Sequence, residues 1–203
     1  MPKMRRKNLL ALLFAAFFGL SFASSSALVR IVFDGDTVQL QTGEKVRYLG
    51  IDTPEMGDVP EFMAEEARQL NRRMVAGKRV RLEFDRESED RHGRKLAYVF
   101  LENGDMVNIL LLQKGLAHIL APGPDLKYFS LFLENQRKAM KEGVGIWSRE
   151  DARDPVFGNT RSFIFHRPEC DRGKETSKRN RKFFSNRISA FWEAYHPCRI
   201  CKP

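Results

Sequence analysis

Three charged runs and one pair of metal-ligand spacings carry whatever chemistry this 203-residue chain performs. The runs are Asp34-Gly35-Asp36-Thr37, then Arg47 followed by Asp52-Thr53-Pro54-Glu55, then Asp90-Arg91-His92-Gly93-Arg94. Taken alone, the first reads as an Asp-Gly turn between strands and the third as a solvated turn with one Gly. Arg47 asks for more. In a strand, Arg47, Leu49 and Ile51 share one side, because side chains repeat every second residue. An arginine on the side of Leu49 and Ile51 lies near a core, so it must be paired or face a ligand. The strand ends at Pro54, which places Asp52 and Glu55 at a mouth rather than in an interior. Near the other end of the chain, His166-x3-Cys170, then 27 residues, then Cys198-x2-Cys201 has ligand spacing in both halves. The same CxxC could instead close as a disulfide and leave Cys170 free.

The elements that must position these residues are short. Residues 27–33, 37–41 and 45–51 are β-branched runs separated by turns, and read as an antiparallel meander. Residues 79–84 and 95–101 are two further strands. Residues 63–75 have Met63, Ala67, Leu70 and Met74 at helical spacing, and Gly77 ends them. Residues 106–114 and 126–141 are two more helices. The predicted class is mainly β with α (α+β): a five-stranded OB-type Greek-key barrel with three helices, plus a small C-terminal metal-binding module.

The net charge of +9 lies in the two ends, while residues 8–150 sum to −1. Basicity is therefore no argument that the barrel binds nucleic acid. Residues 1–7 are basic, Leu9 to Phe22 are apolar, and small residues follow, which is the pattern of a cleaved signal peptide over 1–23. The expected product is secreted or periplasmic, monomeric, and without stable membrane association. The barrel domain spans 27–150, a polar linker 151–158, and the module 159–203, which is too small to bury a core unaided.

Taken in order, the motifs carry a resemblance. Phe33 to Val38, Arg47 to Glu55, Asp90 to Arg94 with Leu96-Ala97-Tyr98, Met106-Val107-Asn108, Gly115-Leu116-Ala117 and Ile146-Trp147-Ser148 together resemble the staphylococcal-nuclease (thermonuclease) family. The resemblance implies that Asp36, Asp52 and the Thr53 carbonyl hold Ca²⁺, with Asp34 nearby. It further implies that Glu55 holds or deprotonates the attacking water, and that Arg47 and Arg94 grip the phosphate of a DNA or RNA substrate. Oxygen donors suit that cation, and permanently charged guanidinium forks suit that anion. The products implied are 3′-phosphorylated ends. Two departures stand out. The loop from Met56 to Met63 is shorter than in the family, and His92, Ala121 and Gly123 stand where tyrosines flank the family's nucleotide pocket.

The tail, from Asn159-Thr160-Arg161-Ser162 to Tyr195-His196-Pro197-Cys198, resembles Ada-type zinc-binding domains, with His166 in place of the first of four cysteines. That implies a structural Zn²⁺ on His166, Cys170, Cys198 and Cys201, with His196 as a stand-in ligand. The tail's basic residues beside Phe183, Phe184 and Phe191 suit either a substrate backbone or plain solvation. His118 reads as an ordinary side chain on a helix end. The alternative function is a non-catalytic OB module that binds nucleic acid or protein, against which stands the complete set Asp36, Arg47, Asp52, Glu55 and Arg94.

Overall fold

The structure, a computed structural model, describes residues 25–121, 123–149 and 154–203. The signal segment read at 1–23 lies outside the described residues, as do 151–153 of the linker. The chain forms β1 (Ser25–Val32), β2 (Thr37–Leu40), β3 (Lys45–Tyr48), a two-residue β4 (Ile51–Asp52), α1 (Ala64–Val75), β5 (Arg79–Glu89) and β6 (Lys95–Phe100). Next come α2 (Val107–Gln113), β7 (His118–Ile119) and α3 (Phe129–Glu142). Five of these strands close a barrel in the order β1-β2-β3-β6-β5, with β3 and β6 parallel. Val29, Val38, Val46, Leu82 and Val99 fill it, and α1 to α3 cover its outside with Ala67, Leu111 and Phe132. The five-stranded α+β barrel is the class the sequence predicts.

One predicted strand breaks in two. Gly50 has a φ of 81°, which swings Ile51 and Asp52 off the ladder of β3. They pair instead with Ile119 and His118 on β7. The shared-side argument therefore holds for Arg47 on β3 but does not reach Ile51. A Cβ on Gly50 would also come within 2.8 Å of both Leu126 and Phe132. Gly50→Ala should cost about 2–6 kcal/mol, from the strained φ and the overpacking together. A urea midpoint equal to that of the unsubstituted protein would show that this bend is not needed. The other difference in the barrel is β5, which runs five residues past Phe84 to Glu89.

Buried amides tie the helices to the strands that carry the site. Asn71 on α1 accepts from the Tyr48 hydroxyl at 2.8 Å and donates to the Asp34 carbonyl at 3.0 Å. Asn108 on α2 accepts from the Val99 N–H at 3.0 Å and donates to the Leu49 carbonyl at 2.9 Å. Gln136 on α3 accepts from the Ile119 N–H at 2.7 Å and donates to the Phe191 carbonyl at 2.6 Å. Two amides thus fix the turns around Asp34 and Gly50, and the third reaches the tail.

The tail comprises β8 (Val156–Asn159), β9 (Ile164–His166), α4 (Asp171–Lys174), β10 (Arg181–Phe184), α5 (Arg187–Trp192) and β11 (His196–Pro197). Its sheet has the order β10-β8-β9-β11. Val156, Phe165, Phe184, Phe191 and Tyr195 form its core, joined by Met140 and Trp147 from before the linker. β8 starts inside the stretch read as linker because Val156 fills that core. Ala194, conversely, packs into the barrel core. Arg137 adds a hydrogen bond to the Trp192 carbonyl at 2.9 Å.

Candidate active site

The turn between β1 and β2 is drawn tight by Asp34, whose Oδ1 accepts from the Asp36 N–H at 2.9 Å. Gly35 lies so close to Thr53 and Ala67 that a Cβ would meet them at 2.7 and 2.8 Å. That approach seats Asp36 against the loop after β4. Its Oδ2 accepts from the Thr53 N–H at 2.8 Å and from the Thr53 hydroxyl at 3.0 Å. Arg47, on the strand next to Asp36, forms ion pairs with both Asp36 and Asp52. It is 7% exposed, so the requirement that it be paired is met by two carboxylates at once. Glu55 lies three residues beyond Asp52. Its backbone N–H donates to Glu61 Oε2 at 3.1 Å, and its carbonyl accepts from the Glu61 N–H at 3.0 Å.

The charges do not balance. Burial pushes the Asp36 carboxyl up to about 7; Arg47 opposes that rise, and the like charges of Asp34 and Asp52 add to it. Burial works against the charge on Arg47, but Asp36, Asp52 and Asp34 outweigh it and hold the guanidinium above its ordinary value. Partial burial and then the Asp52 charge raise Glu55 above the usual carboxylate range. Even with Arg199 at the rim, 3.4 Å from Asp52, two guanidinium groups among four carboxylates leave the corner short of positive charge. The donors on offer are oxygens, so donor type and charge both fit a hard cation such as Ca²⁺.

Arg94 stands apart from this group. It precedes β6, whose Lys95 and Leu96 lie opposite Val46 and Arg47. Its guanidinium pairs with Asp90, at 2.7 Å from both Nε and Nη2, rather than with any of the other four site residues. His118 is the residue that sequence reasoning missed. It lies not on a helix end but on β7, opposite Asp52, with Nε2 3.9 Å from Asp52 Oδ2. Burial lowers its pKa, against the pull of Asp52. Two-residue strands leave no periodic signal, so nothing local could have placed it there.

The family model described as staphylococcal nuclease homologue matches residues 45–149, just over half of the chain. The chain belongs to the staphylococcal nuclease family. It is 38% identical over 130 residues to the thermonuclease of Staphylococcus intermedius, covering 61% of this chain and 77% of that relative. The thermonuclease of Staphylococcus hyicus is 36% identical over 138 residues, covering 64% of this chain and 80% of the relative. Endonuclease YncB of Bacillus subtilis is 36% identical over 124 residues, covering 57% and 58%. The protein is therefore a nuclease, a hydrolase whose substrate is nucleic acid, and the non-catalytic reading falls away. The family match contains Arg47, Asp52, Glu55 and Arg94. Asp36 and the tail lie outside it.

The nuclease's tail gathers the residues its spacing singled out. Ligand atoms of His166, Cys170, Cys198 and Cys201 all lie within 4.8 Å of one another, with Cys170 Sγ 3.4 Å from His166 Nδ1. Tetrahedral Zn–S bonds of about 2.3 Å place sulfurs about 3.8 Å apart, so the group is near the size such an ion needs. Burial lowers the pKa of His166 and keeps its ring neutral, the form that ligates. Burial raises Cys198, but N–H groups of Cys201 and Ile200 overcome it and hold the thiol below its ordinary value. All three cysteines are free thiols. His196 is not in this group. It is half-buried near His118, and desolvation, with that neighbour's charge, lowers its pKa to about 4. Phe184 and Phe191 belong to the tail core, which leaves Phe183, 75% exposed, as the open ring of the three.

Proposed function

We propose that this nuclease hydrolyses phosphodiester bonds of DNA, RNA or both with Ca²⁺ as cofactor, leaving 3′-phosphorylated ends, and that it is exported and carries a structural Zn²⁺ in its tail. The observation that carries the reading is Arg47 clasped between Asp36 and Asp52, with Glu55 on the loop that follows. Asp36, Asp52 and Thr53 would hold the Ca²⁺. Once bound, that ion supplies positive charge to the phosphate and orients the nucleophile. The chain's own groups do the rest. Glu55, raised by burial and by Asp52, is a stronger base than an ordinary carboxylate and holds or deprotonates the attacking water. Arg47, kept charged by its two carboxylates, and Arg94, oriented by Asp90, bind phosphate oxygens as charge builds in the five-coordinate transition state. Permanent charge matters here, because neither arginine can lose its proton to the reaction.

Export rests on the basic and then apolar pattern of residues 1–23. Among the described residues, no helix is long and apolar enough to cross a membrane. The working form is a monomer without stable membrane association. The deciding experiment is digestion of DNA and of RNA in Ca²⁺ and in excess EGTA. Activity should vanish in the chelator, return with Ca²⁺, and return poorly with Mg²⁺, which demands a tighter octahedron. Because EGTA also takes zinc, add-back with Zn²⁺ alone should leave the enzyme silent. Full digestion in EGTA would remove the calcium assignment.

A further inference from the structure

The tail does more than dock on the barrel. β11 pairs with β9, and the Cys198 N–H donates to the Phe165 carbonyl at 2.9 Å, which fixes where the segment after Pro197 starts. The segment closes on itself through the Lys202 N–H, which donates to the Cys198 carbonyl at 2.9 Å. Arg167 braces it through the Lys202 carbonyl, also at 2.9 Å. This loop brings Arg199 across the mouth of the nuclease site, with Nη2 3.4 Å from Asp52 Oδ1. From the same loop Lys202 Nζ reaches Glu61 Oε1 at 3.2 Å, and Glu61 is the residue that holds the Glu55 backbone. Between loop and barrel lies a cleft of about 570 Å³, which has Asp52 and Glu55 on one wall, Arg199 and Lys202 on another, and Phe62 and Trp147 beside them. Phe62 is 43% exposed, with the Arg149 guanidinium 5.1 Å from its ring centre.

Stability does not explain this arrangement. The Arg199 side chain is 67% exposed, and ion pairs at such sites contribute about 0–1 kcal/mol. A cation beside Asp52 also opposes any metal ion that carboxylate is to hold. Its presence makes sense when the ligand that arrives is an anion. Cations beside an exposed ring are the features that bind single-stranded nucleic acid, where backbone charge and base stacking act together.

We propose that the Cys198–Cys201 loop is a built-in part of the substrate site, in which Arg199 binds the phosphate flanking the scissile one and the cleft takes the attached nucleotide against Phe62. The substrate is single-stranded or locally opened, because a base within a duplex cannot enter a cleft of this kind. The proposal rests on the phosphodiesterase reading of the Arg47 site, and supplies a nucleotide-binding wall away from His92, Ala121 and Gly123, none of which lines this cleft. The tail cluster sets the loop's position.

The test uses the full-length protein with Arg199→Ala and Arg199→Lys. With a single-stranded 12-mer, Arg199→Ala should raise KM about tenfold, while kcat falls less than twofold. In a Glu55→Gln background, binding of the same 12-mer should show a slope of log K against log salt that is shallower by about 0.7, one phosphate's share for a single strand. Arg199→Lys should restore the slope, because it keeps the charge. An unchanged KM and slope would overturn the proposal, as would a loss confined to kcat, which would mark Arg199 as a brace for the site. Arg47→Ala, run beside them, separates the two readings. If it abolishes cleavage while Arg199→Ala leaves KM and slope alone, the nuclease site stands and only the cleft fails. A folding defect in Arg199→Ala would show in its melting curve, and Arg199→Lys then decides through KM.

Discussion

Arg94→Ala should lower turnover by at least about two to three orders of magnitude while leaving the barrel folded. Removing one preorganised charge from the position where transition-state charge develops typically costs about 10²–10³ in rate. Arg94 is the cleaner of the two arginines to remove. Its side chain is 30% exposed and its ionic partner, Asp90, also accepts from the backbone N–H groups of His92 and Arg94. Asp90 therefore keeps partners when the guanidinium goes. Arg47→Ala should lose at least as much activity, and stability as well. Breaking a buried pair from one side costs about 3–5 kcal/mol, because the stranded charge has nowhere to go. Asp36, whose carboxyl burial already pushes up to about 7, would be stranded, while Asp52 would keep only the exposed Arg199 and His118 beside it. Turnover numbers and thermal melts on the same preparations separate the effects. An Arg94→Ala protein that turns over at the wild-type rate would show that the active-site assignment is wrong.

The second large effect concerns the tail. Purified full-length protein should contain one Zn²⁺ per chain, bound by His166, Cys170, Cys198 and Cys201, and Cys170→Ser or a zinc-selective chelator should unfold the tail. Apparent binding free energies of structural zinc are about 10–16 kcal/mol in small domains, a gain the tail needs because the cost of ordering its chain exceeds what a core of six buried apolar side chains supplies. Four protein ligands leave no open coordination position, which makes the role structural. The measurement must use the whole chain. A fragment starting at Gly158 would lack Val156, Met140 and Trp147, which belong to the tail core. Metal analysis and thiol titration decide together. A metal-free folded tail with Cys198 and Cys201 joined as a disulfide would sink the idea.

The chain's local patterns carried much of this fold. Strand alternation, Asp-Gly turns and the order of the motifs located the barrel and the clusters around Asp36, Arg47, Asp52, Glu55 and Arg94. The same reasoning found the tail cluster, because CxxC and HxxxC spacings encode geometry within a few residues. What it missed depends on partners distant in sequence. Gly50 reads as an ordinary glycine until Phe132 is seen pressed against it. His118 meets Asp52 only because β4 has left the ladder of β3. Asn71, Asn108 and Gln136 read as polar helix residues, since nothing in the pattern shows that each will be buried, Asn108 and Gln136 between two backbone groups and Asn71 between the Tyr48 hydroxyl and the Asp34 carbonyl. The approach of Arg199 to Asp52 spans 147 residues and follows from how the tail core seats on α3 and Trp147. Periodicity cannot carry information over that distance.

Gln136 has a meaning beyond this molecule. Its amide is filled on one side by the barrel and on the other by the tail, with both bonds inside 2.7 Å and no water needed. A relative that ends at the barrel would turn the second half of that amide toward solvent, where many other side chains serve as well. In another sequence, a residue here that can accept but not donate, such as Glu, would serve the barrel and fail a tail of this kind.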